Sequence, residues 1–129
     1  MTDTYIFLIR EHDWDSDRFL PGPERADADD LDTAFAEHKD FQVAVTALGA
    51  RIVGGSALQS AKYGGVATPG EGDRKVEDAV YTDSPYADSS ELITGYYAVE
   101  VEDEATARKV AALVPTGGTI EWRKVFPTG

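Results

Sequence analysis

Four short segments of the chain carry the hydrophobic pattern of β-strands. Each is rich in aromatic and β-branched side chains and has the length of a strand in a globular protein. In the fourth segment, Ile120 and Trp122 alternate with charged residues, as they would on the two faces of a half-buried strand. The predicted strands are residues 5–10, 51–59, 95–101 and 119–126.

The second and third predicted strands contain two unusual pairs. Gly54-Gly55 is unfavourable inside a regular strand, so it predicts a β-bulge or the close approach of another group. Tyr96 and Tyr97 lie in the third strand, where their rings are expected to pack on the sheet.

Two further segments show the period of an α-helix. Asp29 or Asp30 can cap a first helix, which continues to the residue before Gly49. Asp103 can cap a second helix at residues 104–114. The apolar side of this second helix consists of Ala107, Val110, Ala111 and Val114.

The predicted elements follow one another in the order β-α-β-hairpin-β-α-β. The hairpin consists of residues 66–68 and 75–81, which flank the turn-forming segment 69–73. This order predicts an α+β fold in a single domain spanning residues 1–129. A ferredoxin-like antiparallel sheet would carry both helices on one face.

Such an arrangement leaves the other face of the sheet without a helix. Phe7, Ile52 and Val99, or their alternating neighbours, must lie on that face. A second copy of the chain packed face to face would bury it. The pattern therefore predicts a homodimer.

Composition and charge exclude several classes of protein. The chain has 129 residues, of which 28% are charged and 42% hydrophobic, as in soluble single-domain proteins. The net charge of −12 argues against a nucleic-acid partner and against anionic membranes. No apolar run approaches the ~20 residues of a membrane span. The lack of cysteine excludes disulfides and thiol catalysis, and with no visible secretion signal we expect a cytoplasmic location.

The most informative motif lies within residues 80–103. A predicted strand runs into residues 83–86 (Asp-Ser-Pro-Tyr), and Glu91, Gly95 and two tyrosines follow. This order resembles the signature of the YCII-related proteins of the DGPF type, in which a strand ends in Asp-Gly-Pro-Phe. Ser84 departs from that signature, since it must accept a backbone conformation that glycine takes more easily.

The resemblance covers nearly the whole chain. Residues 5–11 are similar to the family's opening strand. Residues 35–59 are similar to its helix-strand unit, which ends in Gly-Gly-x-x-Leu, here residues 54–58. The resemblance implies a dimeric α+β barrel, in agreement with the homodimer that the strand pattern predicts.

His38 is the most interesting single residue. Helical spacing places it on an inward stripe, whereas Lys39 and Asp40 point away. His38 is either a core residue whose ring nitrogens are hydrogen-bonded to a partner, or a general acid/base. The resemblance implies the second role, because some YCII-related proteins are suspected of pairing a first-helix histidine with a carboxylate after strand one, here Glu11 or Asp13. The other members of the stripe are Leu31, Ala34, Phe35 and Val45.

Three further residues are candidates for the rim of a pocket. Asp83 can cap the turn before Pro85 through its side chain, or it can position a polar ligand together with Tyr86. His12 follows the first strand directly and could line the same opening. We therefore expect Asp83, Tyr86 and His12 to contact a substrate if one binds.

An acidic loop offers a rival reading as a calcium site. Residues 13–24 have the spacing D-x-D-x-D-x6-E, with oxygen ligands at alternate positions and a glutamate at the twelfth. Arg18 stands where the sharp turn needs glycine, and two prolines interrupt the loop. A solvated loop is the preferred interpretation, so the sequence predicts no metal site. Other cofactor motifs are missing as well.

Two classes of function remain. The first is a small cofactor-independent enzyme that acts on a small organic molecule through a His38–carboxylate pair. The second is a non-catalytic ligand-binding or regulatory module without direct DNA contact. The resemblance implies that such a module would be associated with transcription-initiation factors, which relatives often accompany.

Overall fold

The computed structural model describes residues 2–11, 28–58, 64–82 and 92–127. The helices are α1 (Ala28–Ala47) and α2 (Glu104–Leu113), and a short 3-10 helix covers Val76–Asp78. The strands are β1 (Asp3–Glu11), β2 (Arg51–Ala57), β3 (Val66–Thr68), β4 (Val80–Thr82), β5 (Leu92–Val101) and β6 (Thr119–Lys124).

The main sheet has four strands in the order β2-β5-β1-β6. Every neighbouring pair is antiparallel, and β5 lies between β1 and β2, the two strands that α1 connects. This is the split βαβ arrangement of a ferredoxin-like domain. The prediction of an α+β fold with two helices and an antiparallel sheet is confirmed.

The core lies between one face of this sheet and the two helices. Phe7 of β1 and Val99 of β5 are completely buried, as are Val45 of α1 and Val110 of α2. Ile120 and Trp122 of β6 pack against the same cluster, as their alternation with charged residues predicts. Both helices therefore cover the same face of the sheet.

The opposite sheet face carries the alternating neighbours of the core residues. Ile6, Leu8 and Ala98 are half-buried there, and Tyr96 is exposed. Charged pairs surround these apolar side chains. The pairs are Arg10 with Glu121 at 3.2 Å and Arg51 with Glu100 at 2.9 Å.

Helix α1 differs from its predicted form in two respects. It begins at Ala28, so Asp29 and Asp30 lie inside its first turn and do not precede it. Phe35 is 65% exposed, whereas Phe41 is only 3% exposed and takes the expected place in the core. Phe41 and Val45 are the buried residues of the described part of α1, and Phe35 lies next to half-buried Ala34, on the edge of the stripe that faces the sheet.

The ends of α1 and α2 follow the sequence signals. Gly49 adopts a left-handed φ of 78° directly after α1, as the prediction of a glycine stop requires. Asp103 accepts a hydrogen bond from the main-chain N–H of Thr106 at 2.8 Å. The predicted N-cap of α2 is thus confirmed.

Several strand boundaries differ from the predicted ones. β2 ends at Ala57, β5 begins earlier at Leu92, and β6 ends at Lys124. β3 and β4 pair as the predicted hairpin but form a separate two-stranded sheet. β4 is short because Val76–Asp78 forms a 3-10 helix in place of extended chain.

Candidate functional site

A cavity of about 370 Å³ opens between α1 and the sheet. A neighbouring cavity of about 850 Å³ extends along α1 towards the segment that follows α2, and both share Glu11, His38 and Pro115. We call the two cavities together the His38 cleft. The structure therefore brings Glu11 and His38, two of the predicted catalytic residues, to one site.

His38 is half-buried and bonded to a residue of the central sheet. Its Nδ1 forms a short hydrogen bond with the hydroxyl group of Tyr97. The two ring centroids are 5.9 Å apart and the planes are tilted by 41°. Tyr97 also packs on Phe41 of α1, with ring centroids 4.8 Å apart, so two side chains of the same helix contact the phenol ring.

Gly55 of β2 leaves the space that Tyr97 occupies. A Cβ atom at this position would lie 2.8 Å from Cδ1 of Tyr97 and 2.9 Å from the main-chain oxygen of Tyr96. The sequence predicted a bulge or a close approach at Gly54-Gly55, and the structure has both. The register with β5 shifts between Ile52 and Gly54, and the Tyr97 ring lies against Gly55.

Burial changes the acid–base behaviour of the phenol. Desolvation raises the pKa of Tyr97 above that of a free tyrosine. The hydroxyl group, which is protonated at neutral pH even in free tyrosine, can donate a hydrogen bond to the imidazole.

Glu11 is held by the turn that precedes β6. Its Oε1 accepts a hydrogen bond from the hydroxyl group of Thr116 at 2.8 Å. The same hydroxyl oxygen accepts a bond from the main-chain N–H of Gly118 at 3.0 Å. Gly118 allows the turn to approach the end of β1 closely, because a Cβ atom there would overlap the carbonyl oxygen of Arg10.

Among the described residues, the ring of His38 bonds to Tyr97, and Glu11 bonds to Thr116. The sequence suggested a carboxylate partner from Glu11 or Asp13; Glu11 does not take this role, and Asp13 lies outside the described residues. The signal that could have revealed Tyr97 is its alternation with Val99. That alternation places the phenol on the helix-covered face of the sheet.

The described residues that line the cleft include acidic side chains from α1 and β1. Glu37 and Asp40 of α1 line the larger cavity together with Glu11, although the helical pattern had placed Asp40 away from the core. Among the described residues that line either cavity there is no lysine or arginine.

The remaining predicted site residues cannot be compared with the cleft. His12, Asp13, Asp83 and Tyr86 lie outside the described residues, as does the acidic loop at 13–24. Within the described ranges, no group of three or more His, Cys, Asp or Glu side chains is arranged to hold a metal ion.

Comparison with known proteins adds no assignment. No protein-family model matches the chain, and no curated protein matches it. In the part of the chain that the structure describes, no helix has the length and apolar character needed to cross a membrane.

Proposed function

We propose that the His38 cleft binds a small organic molecule and that the protein is a small cofactor-independent enzyme. The observation that carries this proposal is the His38–Tyr97 pair, a polar bond held beside a cavity that Glu11 also lines. A half-buried imidazole with one nitrogen fixed by a partner is suited to act on a ligand with the other. Glu11, anchored by Thr116, supplies a carboxylate to the same space.

We also propose that the chain is a YCII-related protein of the DGPF type. Its support is the sequence motif at residues 80–103 and the Gly-Gly-x-x-Leu segment at residues 54–58. The β-α-β-hairpin-β-α-β order of the elements is the order expected of that family.

The test of the ligand site compares His38→Ala with Lys39→Ala. Lys39 is the exposed neighbour of His38 and lines neither cavity, so it controls for a loss of charge or helix propensity. We expect a small-molecule library screen by ligand-observed NMR to give hits with the wild type and Lys39→Ala that are lost in His38→Ala.

Thermal melts of the same variants separate a structural role from a functional one. A large melting loss in His38→Ala with an unchanged set of hits would contradict the proposed function. Hits that are bound but never converted would instead favour the ligand-binding or regulatory module.

We propose in addition that the protein is a homodimer that buries the helix-free face of the sheet. Ile6, Leu8 and Ala98 form an apolar strip on this face, and the Arg10–Glu121 pair lies beside it. A stable interface would bury about 1,600 Å² in total.

Leu8→Lys is the variant that tests this interface. A lysine in the middle of the strip would have to be desolvated in the dimer, so we expect the variant to sediment as a monomer of about half the wild-type mass. Val43→Lys introduces the same charge on an exposed position of α1 and should leave the dimer intact. A wild-type mass of 14.0 kDa at micromolar concentration would refute the proposal.

A further inference from the structure

The bond between Tyr97 and His38 determines which imidazole nitrogen carries the proton. A phenol is the better donor and an imidazole nitrogen the better acceptor, so the hydroxyl group of Tyr97 donates to Nδ1. The reverse direction would leave the phenolic proton without an acceptor among the described residues, which is costly for a partly buried group.

The remaining nitrogen of the ring is the one that can meet a ligand. Nε2 of His38 has no hydrogen-bonding partner among the described residues, and the side chain lines both cavities. A neutral imidazole that accepts at Nδ1 carries its hydrogen on Nε2. The ring therefore offers a hydrogen-bond donor to the cleft.

The charges around the ring select the class of ligand. The carboxylates of Glu11, Glu37 and Asp40 line the larger cavity with His38, and no described lining residue is cationic. An anionic ligand would meet repulsion from these groups. An ammonium group would be attracted by the carboxylates but cannot accept a hydrogen bond from Nε2.

We propose that Tyr97 holds neutral His38 in the tautomer with the proton on Nε2, and that the cleft consequently binds an uncharged carbonyl compound whose oxygen accepts this hydrogen bond. The inference rests on the proposed function of the cleft and narrows it. It makes Tyr97 a positioning residue and His38 a donor that polarises a carbonyl group, a role that a neutral imidazole can perform in enzymes.

The tautomer is measured without any ligand, by nitrogen-15 NMR of the imidazole rings at a pH about two units above the usual histidine value of ~6.5. The chain has two histidines, and the signals lost in His38→Gln identify those of His38. We expect Nδ1 to resonate in the unprotonated range and Nε2 in the protonated range. Signals that show the proton on Nδ1 would overturn the proposal.

Tyr97→Phe tests the positioning role, and Tyr81→Phe is its matched control. The Tyr81 variant loses the same hydroxyl group, but this tyrosine is exposed on β4 and lines neither cavity. Tyr97→Phe should shift the His38 signals towards a mixture of tautomers, and Tyr81→Phe should leave them unchanged. Unchanged signals in a folded Tyr97→Phe protein would overturn the role of Tyr97. If that variant does not fold, the wild-type signals decide the assignment.

Three probes of similar shape test the ligand class: cyclohexanone, cyclohexanecarboxylate and cyclohexylamine. We expect cyclohexanone to perturb the His38 signals at the lowest concentration. We expect Tyr97→Phe to weaken its binding about twofold, because only about half of the rings in a mixture of tautomers would carry the hydrogen on Nε2. Tighter binding of the acid or the amine would overturn the ligand class. If no probe binds while the tautomer is as stated, the ligand class fails and the tautomer assignment stands, whereas the proposed function is decided by the library screen on His38→Ala and Lys39→Ala.

Discussion

Gly55 offers the sharpest test of how the sheet makes room for the His38–Tyr97 pair. In Gly55→Ala the new methyl group would lie 2.8 Å from Cδ1 of Tyr97 and 2.9 Å from the main-chain oxygen of Tyr96. The first contact can be relieved by moving a ring, but the second involves the backbone of a paired central strand. Overpacking of this kind costs about 1–3 kcal/mol.

The neighbouring glycine provides a control with the same chemical change. A Cβ atom at Gly54 would have Ala98 Cβ as its nearest neighbour at 3.8 Å, an ordinary contact. Neither glycine has a left-handed φ, so alanine is free of backbone strain at both positions. Gly54→Ala should be neutral or stabilise by about 0.4–1 kcal/mol, because it reduces the entropy of the unfolded chain.

Thermal melting followed by circular dichroism measures the difference. For a domain of this size each kcal/mol corresponds to about 3–5 °C, so Gly55→Ala should melt about 3–15 °C below the wild type. It should also displace Tyr97 and alter the nitrogen-15 signals of His38. Equal melting temperatures for the two alanine variants would refute the reasoning, since the close approach of Tyr97 would then have no energetic weight.

Three further predictions concern α1, α2 and the turn before β6. Phe41→Ala should lower the free energy of unfolding by about 3–5 kcal/mol in urea titrations, and Phe35→Ala by much less, since Phe41 is 3% and Phe35 65% exposed. Thr116→Val should cost about 1 kcal/mol by removing the bonds to Glu11 and Gly118, whereas Thr116→Ser should retain both; equal losses would contradict these bonds. Hydrogen bonds from Thr106 lower the pKa of Asp103. The ionised carboxylate therefore stabilises the fold fully above about pH 4, the usual pKa of an aspartate in an unfolded chain. This stabilisation is lost as the pH falls through the lowered pKa of the folded state. The melting difference between the wild type and Asp103→Asn should therefore shrink from pH 6 to pH 2, and a constant difference would exclude a charged cap.

The sequence predicts those parts of the fold that depend on local chemistry. Asp103 and Gly49 end their helices as expected because capping needs only one side chain or one backbone conformation. The position of Phe35 could not be predicted in this way. Its exposure depends on the angle at which α1 lies on the sheet, and a difference of one residue turns a side chain by about 100°.

The candidate site was only partly predictable for a related reason. Helical spacing places His38 towards the sheet, and the end of β1 places Glu11 nearby. The bond to Tyr97 joins residues 59 positions apart, and it depends on the register of β5 against β2 and on the missing side chain at Gly55. No local pattern contains that information.

The position of β5 between β1 and β2 has a consequence for the order of folding. The first β-α-β unit ends at Ala57, but β1 and β2 are not neighbours in the sheet. Each of them pairs with β5, which begins at Leu92 and has to be synthesised first. A nascent chain that ends before β5 therefore has His38 without Tyr97 and half a core without its central strand. Because long loops must close before their contacts stabilise the fold, we expect the cleft to form only when β5 enters the sheet. The His38–Tyr97 bond would then report the insertion of β5.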